Sequence, residues 1–376
     1  MLFTPKALRP AEDQLRRDVR QFLRASLPPD HRPGLGMSAA HDPAFSEALA
    51  EQGWLGMALP SRYGGHDCGA VDRFVVVEEL LAAGSPVGAH WVADRQTGPL
   101  ILKFGTEAQR QRFLPEIAAG RCWFSIGMSE PDAGSDLASV RTRADPTTGG
   151  WIVNGTKVWT SGAHQNHYFV VLCRTSPADG DRHNGLSQMI VDLSSNGLKI
   201  NPIPFLDGSH HFNEVVLEDV FVPDEMVLGE VGHGWSQVTS ELAYERAGPD
   251  RYMSVYQLLE QALRHRPSMV RQHARAFGRL TAQMATLRQM SLSVAVAIDS
   301  GDAPAIQAAV VKDLGTTFEQ EAVAVLRDFV DEPLSVDQHR DLFADLLAQA
   351  TLTGPSFTLR GGTNEILRSI AVKGLP

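Results

Sequence analysis

The chain is short of cysteine. It has three in 376 residues (Cys68, Cys122 and Cys173), odd in number, widely separated and without a CxxC spacing. A disulfide framework is thereby excluded, and a reducing compartment fits. Positive charge is also scarce, with 34 Lys and Arg against 44 Asp and Glu for a net charge of −10. That balance leaves no electrostatic footprint for nucleic acid and argues against an anionic membrane surface. No apolar run is long enough to cross a bilayer, and Met1-Leu2-Phe3-Thr4-Pro5-Lys6 leads into a charged helix and not a signal peptide, so the cytoplasm is the expected location. Internal repeats, heptads and low-complexity tracts are missing. A metal pattern is missing too: His164, His167 and the pair His210-His211 fall in loops with no third ligand, which reads as surface histidines. Gly34-Leu35-Gly36-Met37-Ser38-Ala39 imitates a dinucleotide fingerprint, but it follows a proline-rich loop where a strand is required.

What is present suits a multidomain globular protein, since 376 residues exceed what one hydrophobic core usually serves. Residues 1–122 read as helices. Pro10 takes a first helical position ahead of Glu12 and Asp13, Asp42-Pro43 opens a second helix that Gly53 ends, and Phe74 to Ala83 forms a third. Thr106-Glu107-Ala108-Gln109 has capping-box spacing, and Gly120 supplies the stop. Over residues 123–232 the period becomes alternating. Trp151 to Trp159 reads as a hairpin turning at Asn154-Gly155, followed by strands at Tyr168 to Cys173, Leu186 to Leu193, Leu198 to Pro202 and Phe212 to Val222. Over residues 233–376 helices return, one with a stripe running from Val270 to Ile298 and another from Pro304 to about Phe329. The expected class is α+β: a helical N-terminal domain, a middle β domain of barrel-like or sandwich form, and a C-terminal helical bundle.

Two stretches carry chemistry. Ile126-Gly127-Met128-Ser129-Glu130-Pro131-Asp132-Ala133-Gly134-Ser135-Asp136 sets an apolar run, a hydroxyl and a small-residue loop side by side, and Trp159-Thr160-Ser161 sets an aromatic plate beside two hydroxyls. Backbone N–H groups and hydroxyls in such a seat stabilise the charge that develops on a ring accepting hydride. With the closing Gly361-Gly362-Thr363-Asn364-Glu365-Ile366, these motifs resemble the FAD-dependent acyl-CoA dehydrogenases, and the resemblance covers essentially the whole chain. It implies that Met128, Ser129, Gly134, Ser135, Trp159, Ser161 and Thr363 contact FAD, with Ser135 also facing substrate. It further implies an anionic acyl-CoA substrate met by local basic contacts, an electron-transfer flavoprotein as acceptor, and a homo- or hetero-oligomer.

The sequence departs from the best-known family pattern at the general base. Where many members carry glutamate before the closing Gly-Thr, this chain has Gly361. Glycine cannot take a proton, although its N–H can still serve the thioester oxygen. A minority resembling the isovaleryl and long-chain enzymes keeps its base in a Leu-x-x-Glu-Arg pattern, matched here by Leu242-Ala243-Tyr244-Glu245-Arg246, which makes Glu245 the expected base and Arg246 a substrate contact. On a helix starting near Gly234, steps of about 100° place Glu245 within roughly 20° of Val238, on the stripe holding Trp235 and Leu242. An ion pair of Glu245 with Arg246 or Arg251 is the alternative reading of the same residues.

A second departure is at the adenine end of FAD. The family's Arg-x-x-Phe-Gly has Ala274 in place of arginine before Phe277-Gly278, and no Gln-x-x-Gly-Gly occurs between 320 and 360, which leaves Arg271 and Arg275 as substitute phosphate ligands. Arg95-Gln96 reads either as a lining of the acyl pocket or as a buried structural pair. The rival readings are a dehydrogenase of carrier-protein-tethered acyl groups, a flavin oxidase or monooxygenase on the same fold, and a half-competent subunit of a hetero-oligomer.

Overall fold

The computed structural model describes residues 3–36, 40–330, 334 and 341–373, with the side chains of 241–245 excepted. The chain forms two compact units, one of residues 1–40, 69–87 and 245–376, the other of residues 41–68 and 88–244. The first is helical. It contains α1 (Pro10–Ser26), α3 (Ala70–Ala82), α7 (Tyr256–His265), α8 (Pro267–Gln272), α9 (Ala274–Asp299), α10 (Ala305–Arg327), α11 (Leu342–Thr353) and α12 (Asn364–Lys373). The second carries α2 (Pro43–Glu51), α4 (Gly98–Phe104), α5 (Glu107–Ala118), all the strands, and α6 (Gly234–Glu245), whose last residue opens the helical unit's C-terminal segment. Among the described residues no helix is long and apolar enough to cross a membrane.

Local chemistry explains several helix starts. Asp42 caps α2 through Phe45 N at 3.0 Å. The Thr106 capping box forms in full, with Gln109 N donating to Thr106 Oγ1 at 3.2 Å and Thr106 N to Gln109 Oε1 at 3.0 Å. Two helices differ from expectation. The third begins at Ala70, not Phe74, because Asp299, at the end of α9, accepts from the N–H groups of Ala70 and Val71. The stripe from Val270 is interrupted at His273, so it divides between α8 and α9.

The strands are β1 (Phe124–Gly127), β2 (Arg143–Thr147), β3 (Gly150–Ser161), β4 (Tyr168–Arg174), β5 (Leu186–Asp192), β6 (Leu198–Pro204), β7 (His210–Pro223) and β8 (Val227–Leu228). They form one sheet in the order β6-β7-β3-β2-β4-β5-β8, with β1 on β4. Residues Phe169–Cys173 and Leu186–Ile190 are buried without interruption, so β4 and β5 form the centre of this unit. Phe113 of α5 meets Phe124 and Tyr168 edge-on at 5.5 and 5.1 Å, which fixes the helix against β1 and β4. β1 and β2 lie in succession along β4, pairing with Tyr168–Val171 and with Arg174, so residues 128–142 are an excursion between them.

The hairpin expected at Asn154-Gly155 is not there. β3 runs straight through both residues, and the turn precedes it at Gly149. Asn154 instead exchanges side-chain and backbone hydrogen bonds with Asp219 of β7, both at 2.9 Å. Gly155 sits at a register shift where a Cβ would come within 2.3 Å of Thr142 Oγ1 and 2.7 Å of its Cα. The glycine therefore serves close backbone approach and not chain reversal.

Candidate functional site

The two sequence motifs meet in the sheet-bearing unit. Val158 N donates to Ser129 O at 2.9 Å, and the buried Lys157 Nζ donates to Met128 O at 3.0 Å and Glu130 Oε1 at 2.8 Å. Glu130 also accepts from Arg141 N at 2.7 Å and Thr142 N at 2.8 Å. Burial alone would raise the Glu130 carboxyl, but the Lys157 charge and these hydrogen bonds outweigh it and hold the group below its ordinary value. Beneath the excursion, Met128 and Leu137 pack with Ala133, Val140, Leu172 and Val238.

Alternation along the end of β3 buries Thr160 and turns Trp159 and Ser161 to the other face. Trp159 is 56% exposed although it is the largest side chain in its segment, and its backbone is left-handed at φ +61°. A non-glycine residue rarely adopts that conformation, and here it stands at a register shift after Lys157, with Phe212 edge-on at 5.9 Å. The Ser161 carbonyl accepts from Ser125 Oγ at 2.7 Å, tying this segment to β1. Across the excursion Ser135 is exposed, and no atom lies within 4 Å of where a Cβ on Gly134 would be. An exposed aromatic, outward hydroxyls and an open small-residue loop are the donor set and the space that a flavin ring requires, so these residues fit FAD.

The closing segment lies in the helical unit, held at both ends. The buried Lys312 of α10 donates to Thr358 O at 3.0 Å, Gly362 O at 2.7 Å and Asn364 Oδ1 at 2.8 Å. Arg360 reaches Glu319 Oε2 at 2.6 Å and Ser254 Oγ at 2.8 Å. Between them Gly361 adopts φ +65°, and a Cβ there would lie 3.2 Å from Cζ, Nη1 and Nη2 of the fully buried Arg251. The Arg251 guanidinium thus takes the space that a side chain at 361 would enter. Thr363 accepts from Ile366 N at 3.4 Å at the start of α12. Arg246 is buried, with Nη2 3.7 Å from the Cβ position of Gly362. Glu245, the neighbouring residue, ends α6, and its side chain, like that of Leu242, lies outside the described residues. Earlier on α6 the stripe does face inward, with Val238 buried and Trp235 partly buried.

Phe277 is buried in the helical unit beside Phe329, as a core position requires, while Arg271 and Arg275 are exposed. Arg95 is buried, stacked over Trp91 at 4.4 Å within a short π-helical stretch, and lines a hollow with Gln96, Lys103 and Ser240. His210 and His211 begin β7 and do not lie in a loop: His164 stacks on His210 at 4.0 Å, and burial lowers His211 to about 4. Among the described residues no group of three or more His, Cys, Asp or Glu is arranged to hold a metal.

The sequence motifs give Glu130 no role, and they pass over Lys157 and Lys312. Each lysine falls in phase with buried neighbours, Lys157 with Val153 along the strand and Lys312 with Ala308 along the helix. A lysine in an inward phase was the available signal.

Comparison with known proteins gives the family. The sequence matches the acyl-CoA dehydrogenase N-terminal domain over residues 9–121 and the middle domain over residues 125–220. Acyl-CoA dehydrogenase FadE29 of Mycobacterium tuberculosis is 38% identical over 66% of this chain and 65% of its own length. The match to FadE34 of the same organism, at 34% identity, spans 92% of this chain but only 48% of that relative. IpdE1 of M. tuberculosis, also named an acyl-CoA dehydrogenase, is 32% identical over 97% of this chain and 98% of its own. Among solved structures, the Tcur3481-Tcur3483 steroid ACAD superposes with a TM-score of 0.86 at 27% identity, covering 98% of this chain and 99% of the other. The ChsE4-ChsE5 complex from M. tuberculosis gives 0.85 at 28% identity, covering 99% and 100%. With both domain matches and a full-length relative above 30% identity, the chain belongs to the acyl-CoA dehydrogenase family, whose members use FAD.

Proposed function

We propose that this chain catalyses α,β-dehydrogenation of an acyl-CoA thioester to the trans-2-enoyl thioester, with Glu245 as the base that removes the α-proton. FAD, when bound, supplies the acceptor for the β-hydrogen and its two electrons, which an electron-transfer flavoprotein then collects. Met128, Ser129, Gly134, Ser135, Trp159 and Ser161 hold the ring, Thr363 meets the cofactor from the closing segment, the Gly361 N–H binds the thioester oxygen, and Ser135 and Arg246 meet substrate.

One observation carries the assignment of the base. Arg251 takes the space at position 361, and Arg246, the residue after Glu245, reaches the adjoining Gly362. The segment that carries Glu245 thus sends its next side chain to the loop in which Gly361 stands where many members of the family carry a carboxylate. Replacing Glu245 with Gln should leave FAD bound and abolish flavin bleaching by acyl-CoA, and bleaching that persists would refute the assignment. The likeness to a steroid enzyme puts polycyclic acyl-CoA thioesters first in the substrate panel.

A second reading, a subunit that completes its FAD site with a related chain, draws support from the ChsE4-ChsE5 complex and from Ala274 standing in the place of the family's arginine. FAD stoichiometry of the chain purified alone separates the two, because the first reading requires a full complement of flavin.

A further inference from the structure

Lys157 is fully buried and Glu130 nearly so, a costly arrangement that a well-packed apolar pair commonly equals in stability. Apart from their own contact, the two side chains hydrogen-bond to the ends of one excursion. Lys157 takes the Met128 carbonyl where the chain leaves β1, and Glu130 takes the N–H groups of Arg141 and Thr142 just before β2. The Lys157–Glu130 contact at 2.8 Å joins these two anchors. The pair therefore closes the loop that carries Met128, Ser129, Gly134 and Ser135.

Peptide geometry gives the closure a direction. The peptide is trans, so a Met128 carbonyl turned towards Lys157 points the Ser129 N–H the opposite way. The next carbonyl, of Ser129, is taken by Val158 N, and the next N–H, of Glu130, is spent on Ala133 O at 2.8 Å. Of these successive groups it is the Ser129 N–H that is directed away from the buried pair.

We propose that Lys157 and Glu130 are positioning residues: together they preset the excursion of residues 128–142 so that the Ser129 N–H faces the flavin before it binds. This rests on the flavin seat described above. Both side chains are buried and bonded to the excursion, so the effect passes through the backbone.

The test compares wild type with Glu130→Gln, Lys157→Met and the double variant Glu130→Gln/Lys157→Met. Three quantities are read: FAD affinity by flavin fluorescence quenching, thermal stability, and amide exchange of residues 128–142 in the apoprotein. Each single variant should bind FAD at least tenfold more weakly and exchange faster in 128–133, while β4 and β5 stay protected. The double variant removes the unpaired buried charge and should recover stability over Lys157→Met without recovering FAD affinity, since Met128 still lacks its anchor. Recovered stability with wild-type FAD affinity would overturn the proposal by making the pair merely structural. If the double variant does not fold, near-isosteric Glu130→Gln decides alone: unchanged affinity and unchanged exchange overturn it. Wild-type chain that binds no FAD defeats the flavin seat and this proposal together, whereas wild-type binding with unaffected variants defeats only the latter.

Discussion

Returning the base to position 361 should fail, and the structure says why. In a Glu245→Gln background, Gly361→Glu places a carboxylate directly before Gly362-Thr363. Its Cβ would begin 3.2 Å from three guanidinium atoms of Arg251, at a backbone φ of +65°. The left-handed backbone costs roughly 1–2 kcal/mol for a residue with a Cβ. More important is the charge: a carboxylate about 4 Å from a guanidinium gains on the order of 4 kcal/mol at an effective dielectric near 20. That attraction favours the charged form and holds the carboxyl below its ordinary value of about 4.3. A carboxylate so acidic has little affinity for the α-proton and makes a poor general base. Anaerobic stopped-flow mixing with excess acyl-CoA should therefore give flavin bleaching no faster than Glu245→Gln alone. Gly361→Ala, carrying the backbone cost without the charge, checks folding by urea denaturation. Recovery to more than a tenth of the wild-type rate would show that Arg251 does not hold that space and would remove the argument for Glu245.

Acid should destabilise the sheet-bearing unit in a defined window. Complete burial lowers His90 to about 3, its Nδ1 being 2.8 Å from Ser46 Oγ. The unfolded chain binds this proton from about pH 6.5 downward while the folded chain does not until about 3, so stability is full above 6.5 and falls by about 1.4 kcal/mol per pH unit below it. His211, lowered to about 4, acts in the same sense. Urea midpoints between pH 7 and 5 should flatten in a His90→Asn variant by about 2 kcal/mol over that range, and an unaltered slope would count against the burial argument. Asp299→Ala, which uncaps α3 from 229 residues away, should cost about 1–2 kcal/mol by urea denaturation, and a neutral result would mean that solvent caps the helix equally well.

Features whose cause lies within a few residues were legible without coordinates. The Thr106–Gln109 box and the Asp42 cap act over three residues, and both form as their spacing requires. The strands beginning near Tyr168, Leu186, Leu198 and Phe212 were likewise legible, since the β-branched and aromatic runs that make them are local properties. Asn154-Gly155 has the local signature of a tight turn yet lies inside β3, because pairing with Asp219 and the approach of Thr142 outweigh turn propensity. Charge placement escaped reading for the same reason. That Arg251 would occupy the space beside Gly361, that Lys157 would hold Met128 and Glu130, and that Asp299 would start α3 all depend on residues far apart in the chain. The sequence by itself determined which elements form and which residue types the site can use. Only tertiary packing decided which buried charge meets which backbone group, because that choice depends on desolvation and distance between segments that are not neighbours until the chain is folded.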